Sequence, residues 1–478
     1  VADLLLGLDV GTSSARALLV DRELRPVGAG QVLLASSRPA PDRVEQDAGA
    51  VWSAVGEAVA SALSSAGRSP ADVASVGVTT QRSSVVVWER STGRPVAPMV
   101  VWNDLRGTGR AVELRDAGFP VFPIAAAAKL EAVVDGLDDG RQRVGAGELA
   151  WGTLDSFLVA RLAGGLHVTD RSCAWSSGCL DVFDTSRWNE PLAAHMGLPR
   201  GFFPDLCDTM GPLGTVSALG IESPLGAVVA DQQAGMFAHG AEAPGAWKAT
   251  LGTSGVLMVA TGEAMDLGSG LMPMLLSSSG GRTLFAAEGM VRSAGEMLPW
   301  AVGQGLAGSV EEVASLAGSV PDAGGVAVLP ALHGLGTPYD DPAATVAVHG
   351  RTDTTTAAQV ARAVLEGVAF RMREVADLVV AAHGVGGDVA LPVDGGLARS
   401  DAFCAILADV LARPVVRHPV VEATALGAAV AAARGAGLDV DPSPGGGDRF
   451  EPTVGAKVAP ERLAWWRSVV LPGSEATA

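Results

Sequence analysis

Leu8-Asp9-Val10-Gly11-Thr12-Ser13, near the start of the chain, and Thr250-Leu251-Gly252-Thr253-Ser254-Gly255, in its middle, are nearly the same phrase. Each stands between two apolar runs, 4–10 then 17–20 in the first case and 247–251 then 256–259 in the second. An apolar run, a small polar turn and another apolar run predict a strand, a tight turn and a second strand. Backbone N–H groups and hydroxyls of Gly, Thr and Ser in such a turn can wrap a phosphate chain. Thr12 and Thr253 are 241 positions apart, about half of the 478 residues. The spacing predicts two similar lobes, each offering a polar hairpin to one polyphosphate held between them. Two unrelated β-hairpins would read the same way locally.

A chain of this length exceeds one ordinary core, and two domains of roughly 200–250 residues are expected. The net charge of −18 lacks the basic surface a nucleic-acid binder needs, which sets that class aside. Only three lysines are present, Lys129, Lys248 and Lys457, and none follows a glycine. The G-x-x-x-x-G-K-[ST] loop is therefore absent, and phosphate must be held by another architecture. Cys173, Cys179, Cys207 and Cys404 form no C-x-x-C pair and read as reduced, buried thiols. The seven histidines are scattered without an H-E-x-x-H pattern, so zinc is not expected. No signal-peptide pattern and no apolar stretch of membrane length stand out, and the expectation is a soluble, cytoplasmic protein without a membrane partner.

In the first half, Val51, Val55, Val59 and Leu63 recur on one face of a helix predicted over 46–63. Strands are expected at 76–80, 85–88 and 99–102, and a helix over 149–162. Strand and helix alternate as far as Ala230, the mark of an α/β lobe. A turn-rich stretch at 241–245 opens the second lobe. There the hairpin 247–260 is followed by a helix near 293–302, a strand at 325–329 and a long helix over 356–382, with N-cap candidates at Asp353 and residues 354–356. A strand at 389–393 feeds Asp394-Gly395-Gly396 and a helix from about Ser400. The small-residue helix 423–433, a Pro/Gly linker at 439–448, a short helix at 459–470 and a tail complete the second lobe.

Asp231 ends the apolar strand 227–230, and a carboxylate at the carboxyl end of a buried strand faces the crevice where α/β proteins bind ligands. There it can accept the proton of an attacking hydroxyl, or equally cap the next helix. Asp9 carries the same alternatives, Mg²⁺ ligation beside phosphates or a turn cap. Gly395-Gly396 offers bare backbone to a flat base or ribose, or simply a βα turn. Arg82, after a strand and Thr-Thr-Gln, can donate to substrate hydroxyls or lie exposed.

The order of these features resembles the FGGY carbohydrate kinases, the group that holds glycerol kinase and xylulokinase, over nearly the whole length. The matching segments are Gly7-Leu-Asp-Val-Gly-Thr-Ser-Ser-Ala-Arg16, Thr80-Gln-Arg82, Val101-Trp-Asn-Asp104, Val168-Thr-Asp170, Ala230-Asp-Gln-Gln233, Leu251-Gly-Thr-Ser254, Glu288-Gly289, Pro330-Ala-Leu-His-Gly334, Val393-Asp-Gly-Gly396 and Thr424-Ala-Leu-Gly-Ala428. The resemblance implies an α/β fold of two ribonuclease-H-like (actin-like ATPase) domains with a cleft between them. Residues 1–240 would bind sugar and carry the base, and residues 241–478 would bind nucleotide. It further implies Asp231 as catalytic base and Asp9 at Mg²⁺. Thr12, Ser13, Arg16, Gly252 and Thr253 would meet phosphates, while Gly295, Gly396 and Ser400 line the nucleotide. Arg82, Ser83, Trp102, Asp231 and Gln232 would form the sugar pocket. ATP and Mg²⁺ are the implied cofactors, a sugar or polyol the partner, and a homodimer is compatible with the pattern.

The specificity positions depart from both well-known activities. Glycerol kinases follow the Arg with a Glu, where this chain has Ser83, and carry a Tyr where it has Ile124. Losing those groups from a small polyol site removes hydrogen bonds of ~0.5–3 kcal/mol each. Xylulokinases have Met-His where this chain has Arg82-Ser83, though it shares their Trp-Asn-Asp at 102–104, and the family's Trp after Lys129 is Ala132. The expected acceptor is a ketopentose such as xylulose or a related polyol, with glycerol as the alternative. Readings of another class are a non-enzymatic actin-like ATPase scaffold and a nicotinamide enzyme. The absence of G-x-G-x-x-G spacing around Gly7 and Gly11 counts against the latter.

Overall fold

The computed structural model describes residues 2–442, 446–453 and 458–471. Lys457, the middle of the expected linker and the tail beyond 471 lie outside the described residues. The chain divides into two compact units that are interleaved in sequence. Unit 1 comprises residues 1–240, 274–284 and 424–442, and unit 2 comprises residues 241–273, 285–423 and 443–478.

The sheet of unit 1 has six strands in the order Met210–Val216, Ser223–Ala230, Val73–Thr80, Leu4–Val10, Ser14–Val20, Pro26–Leu33. Leu4–Val10 pairs antiparallel with Ser14–Val20 and parallel with Val73–Thr80, which in turn pairs parallel with Ser223–Ala230. Every residue of Leu4–Val10 is buried, so both faces of the sheet must be covered. Leu4, Leu6, Leu8 and Val10 share a core with Val51, Val55 and Val59 of the helix Ala48–Ala66. Asp47 caps that helix by accepting from the Gly49 and Ala50 amides, and Gly67 ends it at φ 61°.

The opposite face is covered by the helix Ala423–Gly435. Sequence order assigns this helix to the second lobe, but the structure places it in unit 1. The reason lies in a row of glycines on adjacent strands. A Cβ on Gly7 would lie 1.9 Å from the Ala425 carbonyl oxygen, one on Gly77 2.0 Å from that of Ala428, and one on Gly226 2.4 Å from that of Ala432. Only bare backbone admits the helix this closely.

A second correction concerns 149–162. Leu149–Gly152 is a strand paired antiparallel with Val86–Glu89, and the helix covers only Leu154–Leu162. Four consecutive buried apolar residues carry no period that separates a strand from a buried helical turn.

Unit 2 repeats the design. Trp247–Leu251 pairs antiparallel with Gly255–Gly262 and parallel with Leu391–Asp394, which pairs parallel with Val415–Arg417. As in unit 1, a hairpin strand lies beside parallel strands added later in sequence. The long helix Ala357–His383 packs on this sheet. Thr356, among the N-cap candidates, forms a capping box with Gln359, and Gly384 closes the helix at φ 65°. All four cysteines are free thiols, and no described helix is long and apolar enough to cross a membrane.

Candidate active site

Three parallel strands of unit 1 end together. Val10 is in register with Thr80, and Thr80 with Ala230, so Gly11, Gln81 and Asp231 follow at one edge of the sheet. This is the carboxyl edge, where open α/β sheets bind ligands. The first turn is closed by the Gly11 N–H donating to the Ser14 carbonyl at 3.1 Å. Thr12 and Ser13 form its tip, and Ser13 is exposed. Arg16, in register with Asp9 on the neighbouring strand, brings Nη1 to 3.3 Å from Asp9 Oδ2.

Asp231 opens the helix Asp231–Ala238. Its Oδ1 accepts the Gln232 N–H at 2.7 Å and lies 3.5 Å from Arg82 Nε. Arg82 also reaches Met274 Sδ at 3.9 Å, so a thioether of the 274–284 segment flanks the guanidinium. The strand end carrying Asp231 is itself fixed from below. Ser172 Oγ accepts the Ala230 N–H at 3.0 Å and donates to Asp170 Oδ1 at 3.0 Å. Asp170 Oδ2 accepts the Thr209 hydroxyl at 2.9 Å, and the Thr209 carbonyl accepts the Val228 N–H. Nearby, burial pushes the Asp155 carboxyl up to about 6, against the hydroxyl donors Thr153 and Thr169.

Trp102 joins the same region through its indole, Nε1 donating to Thr12 Oγ1 at 3.0 Å. The Thr12 hydroxyl donates in turn to Gln81 Oε1 at 2.9 Å. Beneath Trp102 lies Lys129, fully buried, with Nζ donating to the Val101 and Trp102 carbonyls at 3.0 Å each. Burial pulls this ammonium down to about 7, while the Asp104 carboxylate acts to raise it and Arg106 to lower it.

Ser83 sits in the left-handed region at φ 60°, 6% exposed, and its hydroxyl donates to the Ser176 carbonyl at 2.6 Å. That hydrogen therefore serves the fold around Arg82. Ile124 is half-buried just ahead of the helix Ala126–Asp135.

In unit 2, the turn Gly252-Thr253-Ser254 is closed by the Gly252 N–H donating to Ser254 O at 3.0 Å. The Gly295 N–H donates to Gly252 O and the Ala294 N–H to Thr253 O, both at 2.9 Å. A Cβ on Gly295 would lie 2.5 Å from the Gly252 oxygen, and one on Gly395 2.6 Å from Leu251 O. Gly252, Thr253, Gly295 and the Gly395-Gly396 turn thus gather at the end of Trp247–Leu251. Ser400 caps the helix Asp401–Leu411, its hydroxyl accepting from the Phe403 N–H.

Both hairpins, each closed by a glycine N–H, lie at carboxyl strand ends, and beside the first stands a carboxylate paired to an arginine. Residues 4–237 match the N-terminal domain of the FGGY family of carbohydrate kinases, and residues 247–436 match its C-terminal domain. The chain belongs to the FGGY family of carbohydrate kinases. It is an ATP-dependent carbohydrate kinase with the two-domain, actin-like ATPase fold of that family. Among its relatives, the glycerol kinase of Aromatoleum aromaticum is 38% identical, over 98% of this chain and 98% of that one. The glycerol kinase of Thermus brockianus is 39% identical over 91% and 90% respectively. Among solved structures, Plasmodium falciparum glycerol kinase with ADP superposes with a TM-score of 0.87 at 22% identity, covering 97% of each chain. A xyloylose kinase from Brucella ovis gives 0.82 at 26% identity, covering 97% and 96%.

Sequence reasoning passed over Lys129, Ser172, Thr209 and Met274. Their roles depend on partners that the fold brings together from 27 to 192 positions away. Only Lys129 carried a sequence signal, being one of three lysines in the whole chain.

Proposed function

We propose that this kinase transfers the γ-phosphate of ATP to a hydroxyl of glycerol. The full-length likeness to glycerol kinases supports this acceptor over the ketopentose that Ser83 and Ile124 had suggested. The orientation of Ser83 also weakens the ketopentose argument. Its hydroxyl is committed to Ser176, so it gives no measure of how much room or polarity the acceptor meets.

The observation that carries the chemistry is the Arg82–Asp231 pair at the end of three parallel strands. In the reaction the acceptor oxygen bonds to the γ-phosphorus as the bridging P–O bond breaks, ADP leaves, and the acceptor proton passes to the Asp231 carboxylate. Arg82 and the Gln232 N–H hold Oδ1 and so orient the base. The Gly11–Ser13 turn of unit 1 and, taken by itself, the Gly252–Ser254 turn of unit 2 each offer donors of the kind that phosphate oxygens accept. Asp9, 5% exposed at the strand end beside the first turn, fits Mg²⁺ ligation, since the ion takes one or two carboxylates with phosphate oxygens and would offset phosphate charge when bound.

Steady-state ADP formation with glycerol, xylulose, other pentuloses and larger polyols tests the acceptor. Glycerol should give the highest kcat/KM, and a pentulose in first place would overturn the assignment. Asp231→Asn should retain nucleotide and acceptor binding while kcat falls ~10²–10⁴-fold. Near-normal turnover by that variant would remove Asp231 from the mechanism.

A further inference from the structure

The tip of the first phosphate hairpin is not held by its own turn alone. The Thr12 hydroxyl has a single hydrogen, and it goes to Gln81 Oε1 at 2.9 Å. Thr12 Oγ1 itself accepts the Trp102 indole N–H at 3.0 Å, and the Thr12 carbonyl accepts a hydrogen from Gln46 Nε2 at 2.7 Å. Thr12 is thus engaged on both its side chain and its backbone. Its hydroxyl has no second hydrogen for a phosphate, which leaves backbone N–H groups and the exposed Ser13 as the donors of this turn.

Trp102 cannot drift from Thr12 without leaving its own anchor. The carbonyls of residues 101 and 102 share the buried Lys129 ammonium, and the Val101 carbonyl also accepts the Asp104 N–H. Asp104, with no exposed surface, accepts the Val44 N–H and the Arg106 guanidinium. The segment 101–104 is therefore a rigid post, and the indole ties it to the hairpin. Gln81 closes the circuit from the other side, since it directly precedes Arg82 and its N–H donates to the Val10 carbonyl.

We propose that Trp102 is a positioning residue for the phosphate hairpin, its indole N–H fixing Thr12 so that the acceptor wall and the phosphate turn form one unit. The inference rests on the kinase reading above, in which Trp102 lines the acceptor side. It differs from a packing role because the effect passes through one hydrogen bond and must appear in nucleotide affinity, remote from the ring face that meets the acceptor.

The test measures the affinity of a β,γ-imido ATP analogue by calorimetry, without acceptor, for the wild type, Trp102→Phe, Thr12→Val, Thr12→Ser and the Trp102→Phe/Thr12→Val double variant. Loss of the Trp102–Thr12 bond is expected to weaken the analogue about fivefold in Trp102→Phe, and at least as much in Thr12→Val, which also loses the bond to Gln81. Thr12→Ser, which keeps the hydroxyl, should stay near the wild type. The double variant should be no weaker than Thr12→Val alone, because the Trp102–Thr12 bond is already absent there. Additive losses, or a Trp102→Phe defect confined to the acceptor KM, would overturn the proposal. If Trp102→Phe does not fold by circular dichroism, equal affinities for Thr12→Val and Thr12→Ser still defeat the idea. A wild type that binds the analogue but phosphorylates no polyol would sink the acceptor assignment, while the hairpin measurements would still be read independently.

Discussion

Replacing Ser172 with alanine separates support of the fold from placement of the base. Ser172 has no exposed surface, and its hydroxyl stands between the Ala230 N–H and Asp170. Asp170 would keep the Ser172 and Cys173 amides and the Thr209 hydroxyl, so its carboxyl still has donors at both oxygens. The Ala230 N–H would have no acceptor, and an orphaned buried amide costs ~1–3 kcal/mol. Because Ala230 is the residue before Asp231, a shift of the strand end toward a new partner moves the carboxylate with it. A displacement of about 1 Å at a reacting group costs on the order of 10²-fold in rate. The expected phenotype is a loss of ~2 kcal/mol in urea unfolding, a 10- to 100-fold lower kcat, and an ATP KM within about twofold of wild type. Steady-state kinetics and equilibrium unfolding on the same preparation read both quantities. Full kcat in a destabilised variant would show that Ser172 holds the fold without aiming the base, and unchanged stability would refute the orphaned-amide argument itself.

Gly77→Ala should destabilise unit 1 by about 3 kcal/mol, since its Cβ would fall 2.0 Å from the Ala428 oxygen and neither backbone can yield cheaply. Hydrogen exchange in 423–435 should accelerate, and unchanged protection there would disprove the close docking of that helix. For Asp155, the folded carboxyl titrates at about 6 against 3.8 for an ordinary one. Between those values the folded state keeps a proton that the unfolded state has released. Its contribution therefore falls as pH rises through this window and is level above it, by ~3 kcal/mol in all. Asp155→Asn should lack that slope, and parallel stability–pH curves for the two proteins between pH 4 and 6.5 would contradict the assignment.

Much of this architecture is written locally. Each hairpin is a single phrase of six residues, so its strands and turn can be read without knowing what lies across the sheet. Asp231 is legible for the same reason, as an acid at the end of an apolar strand. The pairing of Asp231 with Arg82 is not, because it depends on two strands far apart in sequence being neighbours in a register that only the fold supplies. Ser83 shows a subtler limit, since its identity is plain but its direction is set by a backbone at φ 60°. Lys129 stands out in sequence only by the rarity of lysine, and nothing local shows that it is wholly enclosed and serves two carbonyls on another segment. The helix 423–435 has alanine or glycine on nearly every side, so no apolar stripe announces which sheet it covers. The decisive mark is in its receptor, in glycines at 7, 77 and 226 that look unremarkable one by one.

That late helix also imposes a schedule on synthesis. The strand ending at Ala230 leaves the ribosome roughly 200 residues before Gly435, an interval on the order of 10–40 s at typical elongation rates. Throughout it, one side of the nascent sheet lacks its cover, and the furrow made by three glycines offers bare peptide to any passing segment. Early chaperone engagement of the amino-terminal half, and poor recovery of fragments that stop short of residue 424, are the natural corollaries of such a delayed closure.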